Sequence, residues 1–421
     1  MTDQDAAGRA DGEREAGGGQ ESAGDRPTAA GRAGEAAMAG GAARAAGEDG
    51  TAAGTAPGDR PVTDAGSAVR AGAPAPAAHT PPRPGAVRAF IGSFTSAGGR
   101  GVVVADVDPG TGALKETGAT DAVADPSFLA GGRDAVLYAV SEADDGAVAA
   151  FDVSGAAPGL LGAAAPVRGA GPTHLCVAAG HVVTANYTSG SVSVLPLAAD
   201  GSPRAAVEVL RHEGSGPVVE RQAGPHAHQV VADPGGRWIL SVDLGTDSVR
   251  VCALDPATGA LRLHHECGLR PGSGPRHLAF HPSGAYAYVV HELDPVVTVC
   301  RWDAEAGVLE PLGETALATP GYPSGIVVAP EGRFAWVAVR GRDALAVLAL
   351  SAAGDAAELV ATVPCGGHWP RDLALDPAGR RLYVANERSG DVTWFDLDPA
   401  TGLPARAGAL PVSAATCVVL A

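Results

Sequence analysis

The amino-acid sequence predicts an all-β fold, a seven-bladed β-propeller, from three observations. First, a unit made of an apolar run, a turn and a second apolar run recurs along the chain at intervals of 44 to 54 residues. Second, a third strand-like run follows most of these units, and no segment keeps the 3.6-residue period of a helix. Third, the chain ends on a single, unpaired first run. Four strands in about 40 to 50 residues is the pattern of a propeller blade.

The repeat is clearest in four segments with a Pro-x-Gly turn and a closing polar cluster: HLAFHPSGAYAYVVHE (277–292), HQVVADPGGRWILSVDL (228–244), SGIVVAPEGRFAWVAVRG (324–341) and DLALDPAGRRLYVANERSG (372–390). Two looser copies are SFLAGGRDAVLYAVSE (127–142) and HLCVAAGHVVTANYTSG (174–190). The starts of the seven units are then Ser127, His174, His228, His277, Ser324, Asp372 and Thr416. Later runs such as DSVRVCAL and DVTWFDL predict the third strand of each blade.

The two ends of the repeat region predict how the ring closes. The first unit opens at VRAFIGSF (87–94) and lacks an innermost strand, whereas TCVVLA (416–421) is an innermost strand without a blade. Pairing the two ends would remove an exposed sheet edge, which otherwise promotes aggregation. We therefore expect the last strand to complete the first blade.

The domain organisation follows from composition. Residues 1–86 are mostly Ala, Gly, Pro and scattered charge, without one aromatic residue. Such a segment buries too little apolar area to offset its ordering entropy. We predict a disordered tail over residues 1–86 and a propeller over residues 87–421.

Charge and cysteine content restrict the function classes. The net charge is −17; the tail has 8 Arg against 12 Asp and Glu, which leaves −13 on residues 87–421. This balance disfavours nucleic acid and anionic membrane as partners. The N-terminus has no apolar signal region, no apolar stretch reaches about 18 residues, and the six cysteines show no CxxC spacing. We expect a soluble cytoplasmic protein, a monomer or weak oligomer, with reduced cysteines.

The antiparallel return of each blade predicts where polar side chains meet. The start of a first strand and the end of a second strand lie at the same end of the channel, so Arg276, His277, His291 and Glu292 should share one rim. The same rule adds further residues to this end, which we call the polar rim: His174, Asn186, Tyr187, His226, His228, Asp243, Arg340, Arg371, Asp372, Asn386 and Glu387. A concave mouth of mixed charge suits a small molecule.

Any one of these residues taken alone is better explained as a backbone cap, because Asp, Asn and His near turns commonly have that role. Their convergence on one rim favours a binding site. The HAH run at 226–228 is a weaker metal pattern than HExxH, and the GSGP runs precede strands and not helices. We therefore expect no metal and no cofactor.

The motifs resemble those of the seven-bladed β-propeller lactonases, the bacterial 6-phosphogluconolactonase type, which is related to carboxy-cis,cis-muconate cyclase. The resemblance covers residues 88–421 and rests on six motifs: IGSFTSAGGRGVVVADVDPGTGAL, DPSFLA, NYTSGSVSVLPL, GPHAHQV, GPRHLAFHPSGAYAYVVHEL and WPRDLALDPAGRRLYVANE. It implies a carboxylic ester hydrolase that opens 6-phospho-D-glucono-1,5-lactone in the pentose phosphate pathway.

The resemblance also implies site residues. The positions proposed as catalytic in that family correspond to four residues of the polar rim: His226, Arg276, Glu292 and Arg371. Two neighbours depart from the family pattern, since His291 stands where Asn is usual and Asp372 where His is common. Both departures could alter substrate preference.

Lactone hydrolysis requires a group that deprotonates water, a cation for the oxyanion and, for a phosphorylated sugar, a cation for the phosphate. We expect His226 and Glu292 to transfer protons, and Arg276 and Arg371 to bind the anionic groups. Five further residues are expected to contact the substrate: His228, His277, His291, Arg340 and Asp372. Two alternatives remain, a lactonising cyclase for unsaturated dicarboxylates and a non-catalytic protein-binding scaffold.

Overall fold

The computed structural model describes residues 87–421. The tail predicted for residues 1–86 lies outside the described residues. Within the described part, seven antiparallel sheets follow one another along the chain, which confirms the predicted seven-bladed propeller. No helix of this part is long and apolar enough to cross a membrane.

The strands group into sheets in chain order. The first sheet contains β1 Arg88–Ser93, β2 Val102–Val107 and β3 Leu114–Thr120, and the second contains β4 Leu129–Gly131, β5 Val136–Ser141, β6 Ala147–Asp152, β7 Gly159–Leu160 and β8 Ala165–Pro166. The third contains β9 Pro172–Ala178, β10 His181–Asn186, β11 Ser191–Pro196 and β12 Glu208–Arg211, and the fourth contains β13 Ala227–Ala232, β14 Trp238–Asp243, β15 Ser248–Leu254 and β16 Leu261–Gly268. The fifth contains β17 Pro275–Phe280, β18 Tyr286–His291, β19 Val296–Asp303 and β20 Val308–Ala316, and the sixth contains β21 Tyr322–Val328, β22 Phe334–Arg340, β23 Ala344–Leu350 and β24 Ala357–Pro364. The seventh contains β25 Pro370–Leu375, β26 Arg381–Asn386, β27 Asp391–Leu397 and β28 Pro404–Pro411, and β29 Ala415–Leu420 joins the first sheet. Thr95–Ala97 form a 3-10 turn, and the short helix α1 spans Val219–Gln222.

The ring closes as the two ends predict. The first sheet has the order β29-β1-β2-β3, so the last strand of the chain is the innermost strand of the first blade. Where β1 begins and β29 ends, Arg88 and Ala421 exchange two backbone hydrogen bonds, of 2.7 and 2.9 Å. The first blade is therefore complete, and β1 is paired on both sides.

Neighbouring blades are joined by apolar clusters and by one recurring hydrogen bond. In several blades an aromatic residue on the second strand is buried and donates to a turn carbonyl of the next blade: Tyr138 to Gly201, Tyr288 to Gly354, Trp336 to Gly402 and Tyr383 to Gly112, all at 2.8 to 2.9 Å. A buried hydroxyl or indole N–H needs such a partner. The six cysteines are free, and all but the half-buried Cys176 are buried.

A β-bulge interrupts most innermost strands at the polar rim. The pairing register of β17 with β18 shifts between Pro275 and His277, so Arg276 is the extra residue. Arg371 on β25 and His228 on β13 occupy the same position in their sheets. A bulge redirects a side chain out of the pleat pattern. His228 is thus equivalent to Arg276 and not, as the repeat starts implied, to His277.

Candidate functional site

The centre of the polar rim is the carboxylate of Glu292, which follows β18 and is only 5% exposed. Its Oε2 lies 2.6 Å from Arg340 Nη2 and 3.1 Å from Arg276 Nε. Its Oε1 lies 2.5 Å from Nη2 of Arg221, on α1. The structure therefore brings Arg276, Glu292 and Arg340 together as the sequence predicted, and adds a third arginine.

The three guanidinium groups decide the charge of Glu292. Burial alone would raise the pKa of this carboxyl, but Arg340, Arg276 and Arg221 hold it well below its ordinary value. Burial, followed by the repulsion from Arg340, lowers the pKa of Arg276 to about 9. Both groups are therefore ionised at neutral pH, and Glu292 is a weak base.

A second charged group lies across the channel around Arg371. Its Nη1 is 3.2 Å from Glu387 and its Nη2 is 3.4 Å from Glu142, while its guanidinium carbon lies 4.9 Å from the ring centre of Phe94. Although burial acts against it, Glu142 and Glu387 raise the pKa of Arg371. Burial raises the pKa of Glu142, and Arg371 offsets only part of that rise. Arg371 is thus a fixed cation beside a carboxyl that is easier to protonate than usual.

Three histidines of the polar rim lie deeper in the channel. His174, His228 and His277 are 6 to 7% exposed, and the ring of His277 lies 5.3 Å from that of His174 and 5.2 Å from that of His228. Burial and the charge of Arg276 lower the pKa of each imidazole, for His174 to about 3. All three are neutral at physiological pH.

His226 differs from these three because it is half-buried and its tautomer is fixed. Its Nδ1 lies 2.9 Å from the carbonyl oxygen of Tyr187. A carbonyl only accepts, so Nδ1 carries the proton and Nε2 keeps a lone pair. The rings of His226 and Tyr187 stack at 4.5 Å, and the Tyr187 hydroxyl is 3.5 Å from Arg221. His226 therefore presents a basic nitrogen beside the arginine group.

The buried carboxylate of Asp243 holds the backbone at His226. Its Oδ1 accepts from the backbone N–H groups of His226 and Gly245, at 2.9 Å each, and its Oδ2 is 2.6 Å from His212 Nδ1. Burial would raise its pKa, but the hydrogen bond and charge of His212 lower it. Asp243, placed by sequence on the polar rim, acts on the backbone and not in the channel.

His291 is not brought into the group around Glu292. It is fully buried, with Nδ1 2.9 Å from Ser273 Oγ and Nε2 2.8 Å from Thr298 Oγ1. The reason is strand alternation: the last residue of a second strand turns into the blade, and the residue after it enters the channel. Asn186 and Asn386 follow the same rule and bond to serines and a threonine of their own sheets.

Asp372 does lie at the channel, on β25 next to the bulge. Burial raises its pKa to about 6, against an opposing effect of Arg276 and Arg371. Because the ordinary value is 3.8, the contribution of this carboxyl to stability is full below about pH 4 and is lost as the pH rises through 6.

Asp372→Asn, which is neutral at every pH, should therefore stabilise the protein at pH 8 by up to about 3 kcal/mol, and by less than about 1 kcal/mol at pH 4. Urea unfolding of both proteins at the two pH values measures this difference. An equal effect of the substitution at pH 4 and pH 8 would show that the carboxyl titrates normally in the folded state.

Two members of the site were missed by sequence reasoning. Glu142 follows β5 in the register that Glu292 has after β18, and SFLAGGRDAVLYAVSE ends on it, so the rim rule could have included it. Arg221 lies in the segment between β12 and β13, which has no counterpart in the repeat. No periodic signal could have placed it.

A separate cavity of about 970 Å³ lies on the opposite, hairpin side between the second and third sheets. Tyr138, Arg133, Asp152 and Asp200 are among its lining residues, and none of the residues predicted for the site lines it. Within residues 87–421, no three His, Cys, Asp or Glu side chains come together in the geometry of a metal site.

The chain matches known proteins over this same region. The family model described as Lactonase, 7-bladed beta-propeller, covers residues 88–420. The 6-phosphogluconolactonase of Bacillus subtilis (strain 168) is 33% identical over 325 residues, which are 74% of this chain and 92% of that protein. The solved structure of the periplasmic gluconolactonase of Pseudomonas aeruginosa has a TM-score of 0.74 at 28% identity and covers 79% of this chain and 98% of that one.

The channel mouth of arginines, carboxylates and histidines thus lies on a seven-bladed ring, and the chain belongs to the seven-bladed β-propeller lactonase family. It is a lactone hydrolase, an enzyme acting on a carboxylic ester. The resemblance stated from the motifs is confirmed, and the non-catalytic scaffold is set aside.

Proposed function

We propose that the enzyme hydrolyses 6-phospho-D-glucono-1,5-lactone to 6-phosphogluconate, a step of the pentose phosphate pathway. The observation that carries this proposal is the convergence of three arginines on the buried Glu292, beside the free Nε2 of His226. The relatives named 6-phosphogluconolactonase support the same substrate. An anionic sugar lactone suits a site with so many fixed cations.

In this proposal His226 is the general base. Its Nε2 accepts a proton from a water molecule, and the oxygen of that water attacks the lactone carbonyl carbon. The C=O electron pair moves to the carbonyl oxygen, where Arg276 stabilises the negative charge. When the tetrahedral intermediate collapses, the ring C–O bond breaks and the imidazolium returns the proton to the leaving oxygen. The product is an open-chain hydroxy acid, which ionises in water.

Glu292 takes a different part from the one expected from the sequence. With its pKa held low by three arginines it is a poor proton acceptor, so we assign it to fixing the guanidinium groups in place. Arg221 is the most open of the three, with 35% of its side chain exposed, and we assign it to the phosphate. Arg371, opposite, is already paired with Glu142 and Glu387 and would bind an anion only by weakening those contacts.

The test is hydrolysis by the full chain, followed by pH-stat and corrected for spontaneous opening. Three substrates distinguish the candidates: 6-phosphoglucono-1,5-lactone, unphosphorylated glucono-1,5-lactone and muconolactone as a substrate of the cyclase type. We expect the highest kcat/KM for the phosphorylated lactone. A higher value for the unphosphorylated lactone would remove the phosphate from the proposal, and activity on muconolactone alone would replace it with the cyclase.

His226→Gln tests the base. It should lower kcat by about 100-fold or more with little change in KM, because general-base catalysis contributes on the order of 10² to 10⁴ in rate. The matched control is His264→Gln, an exposed histidine of β16 that bonds to the carbonyl of Ala306, where kcat should not change. Equal activity of the two variants would contradict the role of His226.

We also propose that the enzyme resides in the cytoplasm. The support is that all six cysteines are free and that five of them are buried. The gluconolactonase of Pseudomonas aeruginosa is a periplasmic protein. Fractionation of the native cells would decide, and recovery of the protein in the periplasmic fraction would contradict the proposal.

A further inference from the structure

Three buried histidines form the bottom of the candidate site, and we call His174, His228 and His277 the histidine floor. They come from β9, β13 and β17, the innermost strands of three successive sheets. The rings of His174 and His277 lie 5.3 Å apart although a whole sheet separates their strands along the ring. The histidine floor therefore reaches into the channel beneath the arginine group, and Nη1 of Arg276 is 3.4 Å from Nε2 of His277.

Two ring nitrogens of the histidine floor have no partner. Nδ1 of His174 and Nδ1 of His228 are both buried without a hydrogen bond. A buried polar atom left unsatisfied is costly, so such atoms in a native fold usually bind a ligand or an ordered water. Other buried side chains near this rim, such as Gln229 and Asn186, have partners within the protein, whereas Ser127 Oγ, Arg276 Nε and Thr416 Oγ1 also lack a hydrogen bond.

The chemistry of the histidine floor restricts what can satisfy it. Arg276 Nη1 lies 3.4 Å from His277, and the charge of Arg276 also lowers the pKa of His174 and His228, which disfavours a cation there. No three His, Cys, Asp or Glu side chains of residues 87–421 come together in the geometry of a metal site. An anion would gain no charge attraction from the neutral rings, and it would bind instead to the guanidinium groups of the arginines above them. A hydroxyl group can both donate to and accept from a neutral imidazole, whichever tautomer is present.

We propose that the histidine floor is a subsite for the hydroxyl groups of the substrate, so that the ligand is a polyhydroxylated anion with its charged end at the arginines. This inference rests on the proposed function, and it adds an orientation and a requirement for hydroxyls. This requirement favours sugar lactones over unsaturated dicarboxylates, which carry anionic groups but no hydroxyl groups.

The test is calorimetric binding of two stable probes with the same chain length and the same two anionic ends. One is 6-phosphogluconate, and the other is 6-(phosphonooxy)hexanoate, which has no hydroxyl groups. We expect the full chain to bind the first at least about tenfold more tightly, which is the effect of about one well-made hydrogen bond. His174→Leu and His228→Leu should each lower that ratio severalfold.

Conservative variants and a control variant complete the binding test. Asparagine retains a polar atom near the position of Nδ1, so His174→Asn and His228→Asn should keep much of the ratio. His181→Leu is the control, since His181 is also buried but begins β10 at the hairpin end of the channel, and the ratio should stay at the value of the unmodified chain. Circular dichroism and thermal unfolding verify that each variant is folded.

The outcomes separate the two proposals. A ratio near one in the unmodified chain, or a ratio that the folded leucine variants leave unchanged, would overturn the hydroxyl subsite and show that water alone satisfies the rings. Failure of the unmodified chain to bind either probe would overturn it as well. Absence of lactone hydrolysis would overturn the proposed function, and it is measured separately from binding.

Discussion

Replacing Glu292 with glutamine is expected to lower kcat/KM for the lactone by about 100-fold or more and to destabilise the fold by about 3 kcal/mol. The neutral amide leaves Arg221, Arg276 and Arg340 facing one another without the charge that holds them. Removing one partner of a buried ion pair typically costs about 3 to 5 kcal/mol. Displacing an electrostatic contact to the transition state typically costs on the order of 10² to 10³ in rate.

Coupled-assay kinetics and urea unfolding of the same preparation measure both effects. Glu310→Gln is the matched control, because Glu310 also pairs with an arginine, Arg301, but both side chains are more than half exposed. Exposed pairs contribute little, so we expect no measurable change in activity or in unfolding. If Glu292→Gln behaved like Glu310→Gln, Glu292 would not be the centre of the site.

Removing residues 414–421 is expected to abolish cooperative folding. This deletion takes away β29, the innermost strand of the first blade, and leaves β1 as an open edge. Ala415, Thr416, Cys417 and Val418 are all buried in the ring. A domain is stable by only about 5 to 15 kcal/mol, and an unpaired innermost edge promotes aggregation. The measurement is the yield of soluble protein and its thermal unfolding.

Moving the strand should restore the fold. Arg88 and Ala421 form a directly hydrogen-bonded pair, which is the geometry that flanks a two-residue hairpin turn. A chain that begins with residues 414–421, continues through Asn-Gly into Arg88 and ends at Ser413 keeps every strand of the ring. We expect it to unfold cooperatively near the temperature of the unmodified chain. If this variant failed to fold cooperatively while the deletion variant did fold, β29 would not be the strand that closes the ring.

The sequence was sufficient for the ring and for the meeting of Arg276, Glu292 and Arg340 at one rim. The repeat and the mismatched ends determine seven sheets and their closure, because both follow from strand period and edge pairing. The meeting of Arg276 with Glu292 follows from antiparallel return alone. Glu142 was within reach of the same rule, since it has the register of Glu292 in another blade.

Other parts of the site depend on details that no repeat encodes. The side chain of His291 turns into its blade because alternation at the end of β18 gives the channel to the next residue. The bulge that makes Arg276 and Arg371 equivalent adds one residue to the register. Arg221 comes from a segment outside the repeat, and its contact with Glu292 is purely tertiary.

The most direct test of the whole account is a crystal structure of the full chain with 6-phosphogluconate bound. We predict the ligand in the channel mouth, with its phosphate at Arg221, its carboxylate near His226 and Arg276, and its hydroxyl groups toward His174 and His228. A ligand bound on the hairpin side instead, in the cavity beside Tyr138 and Asp200, would contradict the assignment of the site.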